Sequence, residues 1–182
     1  MKSGALSQFL HHKKLPYAMI FILLLLCVLL FLWCTRPLSP DDLLEKRKIQ
    51  KITISRIVSV PGADGGSQTE TISTSDPAEV ERILALLREF PVNRRIKLFG
   101  SNSSTTVTTY FWLSIYYEEE SGTPGILVYD VSSDGNMRIR PWREPEIPCG
   151  VGWFGNRGIL RFYQTLSDWF AAGEGSAVWQ EV

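Results

Sequence analysis

Thr106-Val107-Thr108-Thr109-Tyr110-Phe111-Trp112-Leu113-Ser114-Ile115-Tyr116-Tyr117 is a run of β-branched and aromatic residues, apolar on both alternating faces at its middle. Such residues fit a pleated, packed surface, and the pattern suits a central strand covered by a helix on one side. Glu118-Glu119-Glu120-Ser121-Gly122 ends it. Downstream, Gly125–Val131 and Asn136–Arg140 form a hairpin across Ser132-Ser133-Asp134-Gly135, where Asp-Gly is the turn signal. Pro141–Arg157 reads as a loop rich in Pro, Gly and Trp. A helix follows from about Gly158 to Ala171, with Ile159, Phe162, Tyr163, Leu166, Trp169 and Phe170 on one wide apolar face. The tail piece Ala177-Val178-Trp179 is either an edge strand or frayed.

Upstream, Ile52, Ile54, Val58 and Val60 share one parity, the mark of a half-buried strand. The loop Pro61–Gly66 turns the chain into a short return strand, Thr69–Thr74. Asp76 then caps a helix, Pro77 takes its first position and Glu79 completes a capping box. Val80, Ile83, Leu84 and Leu87 follow at helical spacing, and Pro91 stops the helix near Glu89–Phe90. The order β-β-α-β-β-β-α predicts an α+β two-layer sandwich, a mainly antiparallel sheet with two helices.

Further upstream, Tyr17–Cys34 reads YAMIFILLLLCVLLFLWC without a charge. As a helix it spans roughly 27 Å, near the thickness of a bilayer's hydrocarbon core. A cleaved signal peptide would have a shorter core and small residues at its exit, where this chain has Leu32 and Trp33. A lipid on Cys34 would need small residues just before it, and Trp33 is not small. Lys2, Lys13 and Lys14 precede the run with no acid, and basic flanks stay in the cytoplasm. The expected plan is a cytoplasmic tail (1–16), a single-pass anchor in the lipid bilayer (17–34), a stalk (35–51) and an extracytoplasmic domain (52–182).

Charge and residue usage narrow the function. The chain has 19 basic and 19 acidic residues, and all the acids lie beyond the anchor. The part after the anchor is therefore mildly acidic, which argues against a nucleic-acid partner. The chain's two histidines are His11 and His12, both in the N-terminal tail. The domain thus lacks the imidazole base of a Ser-His-Asp or Cys-His site, and one Cys without His argues against zinc. Cys149 stands alone in the domain and cannot form a disulfide within it. Gly150-Val151-Gly152-Trp153-Phe154-Gly155 matches G-x-G-x-x-G, but Pro148-Cys149 precedes it where a dinucleotide fingerprint has a strand. No cofactor is expected.

Carboxylates remain as acid/base candidates. Glu118–Glu120 read as a solvated strand end, and Asp130 and Asp134 as turn residues. Arg94, Arg95 and Lys97 read as a solvated or membrane-facing edge. The patch with a binding signature is Trp142 and Arg143, in a Pro-rich loop, together with Trp153 and Phe154.

The opening ITIS…TETISTSDPAEVERILALLREF, after an N-terminal anchor, resembles the small membrane-anchored extracytoplasmic domains of unknown function of Gram-positive bacteria. The resemblance covers about forty residues. It implies a bacterial envelope location and carries no catalytic residue. The expected function is a non-catalytic binding or interaction module for a protein or envelope ligand. The alternatives are an envelope enzyme using carboxylates and an accessory subunit of a membrane complex.

Overall fold

The computed structural model describes residues 4–44, 47–59, 66–94, 108–151, 156–174 and 176–181. The chain divides into two compact units, Met1–Arg36 and Pro37–Val182. The first is the helix α1 (Gly4–Thr35), whose described side chains between Tyr17 and Trp33 are exposed. Among the described residues no helix is long and apolar enough to cross a membrane.

The second unit is α+β. Its sheet holds nine strands among the described residues: β1 (Pro37–Leu38), β2 (Lys48–Ser59), β3 (Ser67–Thr74), β4 (Val92–Arg94), β5 (Thr108–Glu118), β6 (Pro124–Ser132), β7 (Met137–Arg140), β8 (Ile147–Val151) and β9 (Gln180–Glu181). Their order is β1-β4-β8-β7-β6-β5-β2-β3-β9, and every neighbouring pair is antiparallel. The helices are α2 (Pro40–Leu44), α3 (Pro77–Glu89) and α4 (Arg157–Gly173).

Alternation along β5 makes the core. Phe111, Leu113, Ile115 and Tyr117 are at most 2% exposed and point to the helix side. There Phe111 meets the Tyr163 ring at 5.2 Å and the Phe170 ring at 5.9 Å. On α4, Ile159, Phe162, Leu166 and Phe170 are buried at helical spacing. Cutting back a ring so placed, such as Phe162, to Ala costs about 3–5 kcal/mol. Phe90, just past α3, packs on Phe162 at 4.9 Å, and Arg82 of α3 lies 5.2 Å over Trp169 of α4. The two long helices therefore lie side by side on one face.

Local chemistry sets the element ends. Asp76 Oδ1 accepts from the backbone N–H of Ala78 and of Glu79, each at 3.0 Å. The reciprocal half of the expected capping box is taken by Thr74, whose Oγ1 accepts from the Asp76 N–H at 3.2 Å. Gly135 turns the β6–β7 hairpin at φ 82°, as the Asp-Gly signal predicts. Asp134 braces that turn by accepting from Ser132 Oγ and from Asn136 Nδ2. Burial pushes the Asp134 carboxyl up, but these bonds outweigh it and hold it below the usual carboxylate range.

Four segments fold differently from what their sequence pattern predicts. The segment expected as a stalk is built into the domain from Pro37 onward, with Leu38, Pro40 and Leu44 buried. Pro141–Arg157, expected as a loop, contains β8. Val92–Arg94 opens the segment Val92–Thr105, which is basic and then Ser/Asn-rich and by composition reads as a loop, yet these three residues are β4, paired with β8 from Val92↔Val151 to Arg94↔Cys149. Ala177–Trp179 is not the terminal strand; Trp179 is a buried plug, and the strand is Gln180–Glu181.

Two contacts generate tests. Tyr117 sits directly across from Gly125, and a Cβ at Gly125 would lie 2.2 Å from the Tyr117 ring. Tyr117 is 2% exposed, and Arg47 donates to its hydroxyl at 2.6 Å, so the ring has little room to shift. Gly125→Ala is expected to lower stability by about 1–3 kcal/mol in denaturant titration. Elsewhere, Arg88 of α3 clamps Asp41 of α2 through two bonds, Nε–Oδ2 at 3.0 Å and Nη2–Oδ1 at 2.9 Å. These bonds hold the Asp41 carboxyl below its usual value. A lowered folded-state value stabilises above the unfolded carboxylate's pKa of about 3.9 and is lost as pH falls through the folded value. Asp41→Asn is therefore expected to lower stability modestly at neutral pH, leave it nearly unchanged at the acid end, and so flatten the rise between them when denaturant titrations are repeated across pH.

Candidate functional site

The face of the sheet away from α3 and α4 is built from the other parity of the same strands. On β5 it carries Tyr110, Trp112, Ser114 and Tyr116. Trp112 is 39% exposed and Tyr116 38%, and α1 aside few large apolar side chains are as open. Directly opposite residues of an antiparallel pair share a face, so register gives the surroundings. Trp112 stands between Ser55 of β2 and Asp130 of β6, and Tyr116 between Lys51 and Ile126. Toward β3 the face is hydroxyl-bearing, with Ser55 Oγ and Thr71 Oγ1 2.9 Å apart. Toward β7 it is charged.

Arg140 organises the charged side. Its guanidinium lies 5.6 Å over the Trp112 ring and its Nη2 donates to Asp130 Oδ2 at 2.5 Å. Its Nε faces Glu146 Oε2 at 3.6 Å, an ion pair too long for a hydrogen bond. Arg138 donates to Glu146 Oε1 at 3.1 Å. Two carboxylates thus converge on one guanidinium beside an indole. The Asp130 side chain is only 8% exposed and needs that partner, because an unpaired buried carboxylate is costly.

Of the residues singled out from sequence, Trp142 is 41% exposed, and Arg143 lies 5.7 Å over its ring. Arg143 has φ 60°, an unusual backbone setting for a residue other than glycine. Trp142 begins two residues after Arg140, at the end of β7. Trp153 and Phe154 lie outside the described residues, as do Arg95 and Lys97. Gly150, the first glycine of the G-x-G-x-x-G match, is inside β8 and pairs with Asn93; Pro148 and Cys149 before it, expected not to be strand, belong to β8 as well. Asp134 is a turn residue as expected, but Asp130 is not: it is in mid-strand β6 and ion-paired. Glu118 accepts from Gln50 Nε2 at 3.2 Å at the strand end, and Glu119 and Gly122 close the following turn. Trp112 and Tyr116 were missed as site residues. Their signal was present in the sequence, as two large aromatics of one parity on a strand with a second apolar parity.

A groove of about 420 Å³ opens at the edge of this face, lined by Lys51, Ser73, Ser75, Asp76, Val178 and Gln180 among others. Its lining is polar, and Lys51 links it to Tyr116 across the β2–β5 pair. Among the described residues no group of three His, Cys, Asp or Glu side chains is placed to hold a metal ion. Comparison of the chain with protein-family models, with curated proteins and with solved structures finds no match.

The Asp130–Arg140 pair generates a test. Arg140→Met leaves Asp130 without its cation. Breaking a fully buried pair costs 3–5 kcal/mol, but Arg140 is 42% exposed, so about 1–2 kcal/mol is expected. Asp130→Asn combined with Arg140→Met should recover much of that loss in a double-mutant cycle read by thermal unfolding.

Proposed function

We propose that the protein is a membrane-anchored, non-catalytic binding module of the bacterial envelope, and that its open sheet face is the binding surface. The observation that carries this reading is the exposed aromatic ridge of Trp112 and Tyr116, flanked by hydroxyls on one side and by the Arg140 cluster on the other. An antiparallel sheet solvated on one side ordinarily alternates polar residues there, so large exposed rings on that face suit contact with a ligand. Aromatic rings stack on flat apolar ring faces, while Ser55, Thr71 and Arg140 supply hydrogen bonds. This suits a ring-bearing envelope polymer rich in hydroxyl groups. Trp142 and Arg143 extend the same chemistry past the end of β7.

The anchor part of the reading rests on the charge-free run from Tyr17 to Cys34 and on the lysines before it. It puts the domain on the extracytoplasmic side of the cell membrane. Protease added to intact cells is expected to remove the domain. Its survival there would reverse the orientation.

A second reading, an envelope enzyme using carboxylates, draws on the convergence of Asp130 and Glu146 on Arg140 beside Trp112. In such an enzyme Asp130→Asn would abolish turnover of the polymer and leave binding intact.

The binding test uses the full-length protein and isolated cell-wall polymer in co-sedimentation. Trp112→Ala and Tyr116→Ala are each expected to weaken retention about tenfold or more. Unchanged retention in both, with an unaltered melting curve, would dismiss the ridge as the binding surface.

A further inference from the structure

The two edges of the sheet are treated differently. One ends in β1, two residues long and beginning with Pro37, which has no N–H to offer. At the other edge β9 covers β3 only at Ile72 and Ser73. From Ser67 to Thr71 the outer edge of β3 has no strand partner among the described residues, and Ser67, Gln68, Thr69 and Glu70 are exposed. Its pairing with β2 runs unbroken from Ser67 to Thr74, without a bulge. The stretch S-Q-T-E-T also holds no Pro and no Lys, the residues that usually blunt an edge.

We propose that this edge pairs with the same edge of a second copy, antiparallel about Thr69, joining two sheets into one. The register follows from symmetry. A twofold axis perpendicular to the sheet keeps each face on its own side, so a strand can cross itself only on a residue, never between two. Centring on Thr69 uses all five free residues: Ser67 meets Thr71 of the second copy, Gln68 meets Glu70, and Thr69 meets Thr69. Each facing pair can hydrogen-bond, and no like charges oppose. Centring on Glu70 would set two carboxylates face to face and drive the strand into β9. Centring on Gln68 would set Glu70 and Thr71 opposite positions 66 and 65, before the start of β3, and so pair only three strand residues. Arg56 Nε already donates to Glu70 at 2.8 Å from within the same copy, so that carboxylate enters the pair compensated. The axis also puts both aromatic ridges on the same side of the joined sheet, giving two-point attachment to a long ligand. The pairing holds or fails independently of what the ridge binds.

The test uses the full chain in detergent, with the oligomeric state read by sedimentation at concentrations up to about 100 μM, the weak end for so small an interface. Thr69 is exposed and faces Ile57 across β2, so its replacement leaves the core untouched. Wild type is expected to dimerise. Thr69→Lys and Thr69→Glu, each alone, should raise the dissociation constant about tenfold or more through like-charge opposition. Mixing the two variants should restore pairing. A second measurement separates this contact from any association through α1. In a chain whose native cysteines are replaced by Ser, Thr69→Cys should cross-link on oxidation, since facing Cα atoms lie about 4.5–5.5 Å apart. Gln68→Cys, two positions out of register with itself, should not. A monomeric wild type, a dimer indifferent to charge at position 69, or cross-linking equal at 68 and 69 would each overturn the proposal.

Discussion

Strand β5 must be dry on one side and wet on the other, and the domain is arranged around that demand. Both of its parities are rich in large apolar side chains, yet α3 and α4 lie together on one face. Phe111, Leu113, Ile115 and Tyr117 take the covered side, and the remaining rings stay in water. The helices cannot be divided between the faces, because Phe90 locks onto Phe162 and Arg82 onto Trp169. The same packing that closes the core thus creates the exposed ridge.

The ridge is steadied by charge. Arg140 bridges an indole, a nearly buried carboxylate and a surface carboxylate, so Trp112 is backed by a fixed guanidinium. A cation above an aromatic ring and a carboxylate paired to that cation limit the rotamers that each can adopt. Rings with few rotamers to lose make efficient contact residues, since ordering them on binding costs little.

The long elements were legible in the chain because each repeats its period several times. The β2–β3 hairpin, the Asp76-capped helix, the Asp-Gly hairpin and the apolar face of α4 all follow from local patterns. The short strands were not. Pro37–Leu38, Val92–Arg94 and Gln180–Glu181 are too brief to show alternation, and their pairing partners are distant in sequence. In β8, Pro148 read as loop chemistry although it stands opposite Arg138 in the ladder. The candidate site was half legible. Trp142 and Arg143 announce themselves by composition, whereas Trp112 and Tyr116 become candidates only once it is known which face the helices take. Asp130 was misread because nearness to a turn in sequence does not reveal a cation two residues diagonally across a hairpin.

Cys149 sits in β8 with 3% of its surface open, and its thiol donates to the Ile147 carbonyl at 3.1 Å. Next to it in the sheet lies β4, only three residues long. A thiol so enclosed is shielded from oxidants and alkylating reagents until β4 and β8 part. The chain therefore carries its own clock for local opening at that end of the sheet: the rate at which an alkylating reagent labels Cys149 measures how often the small strands come away, with no residue engineered in.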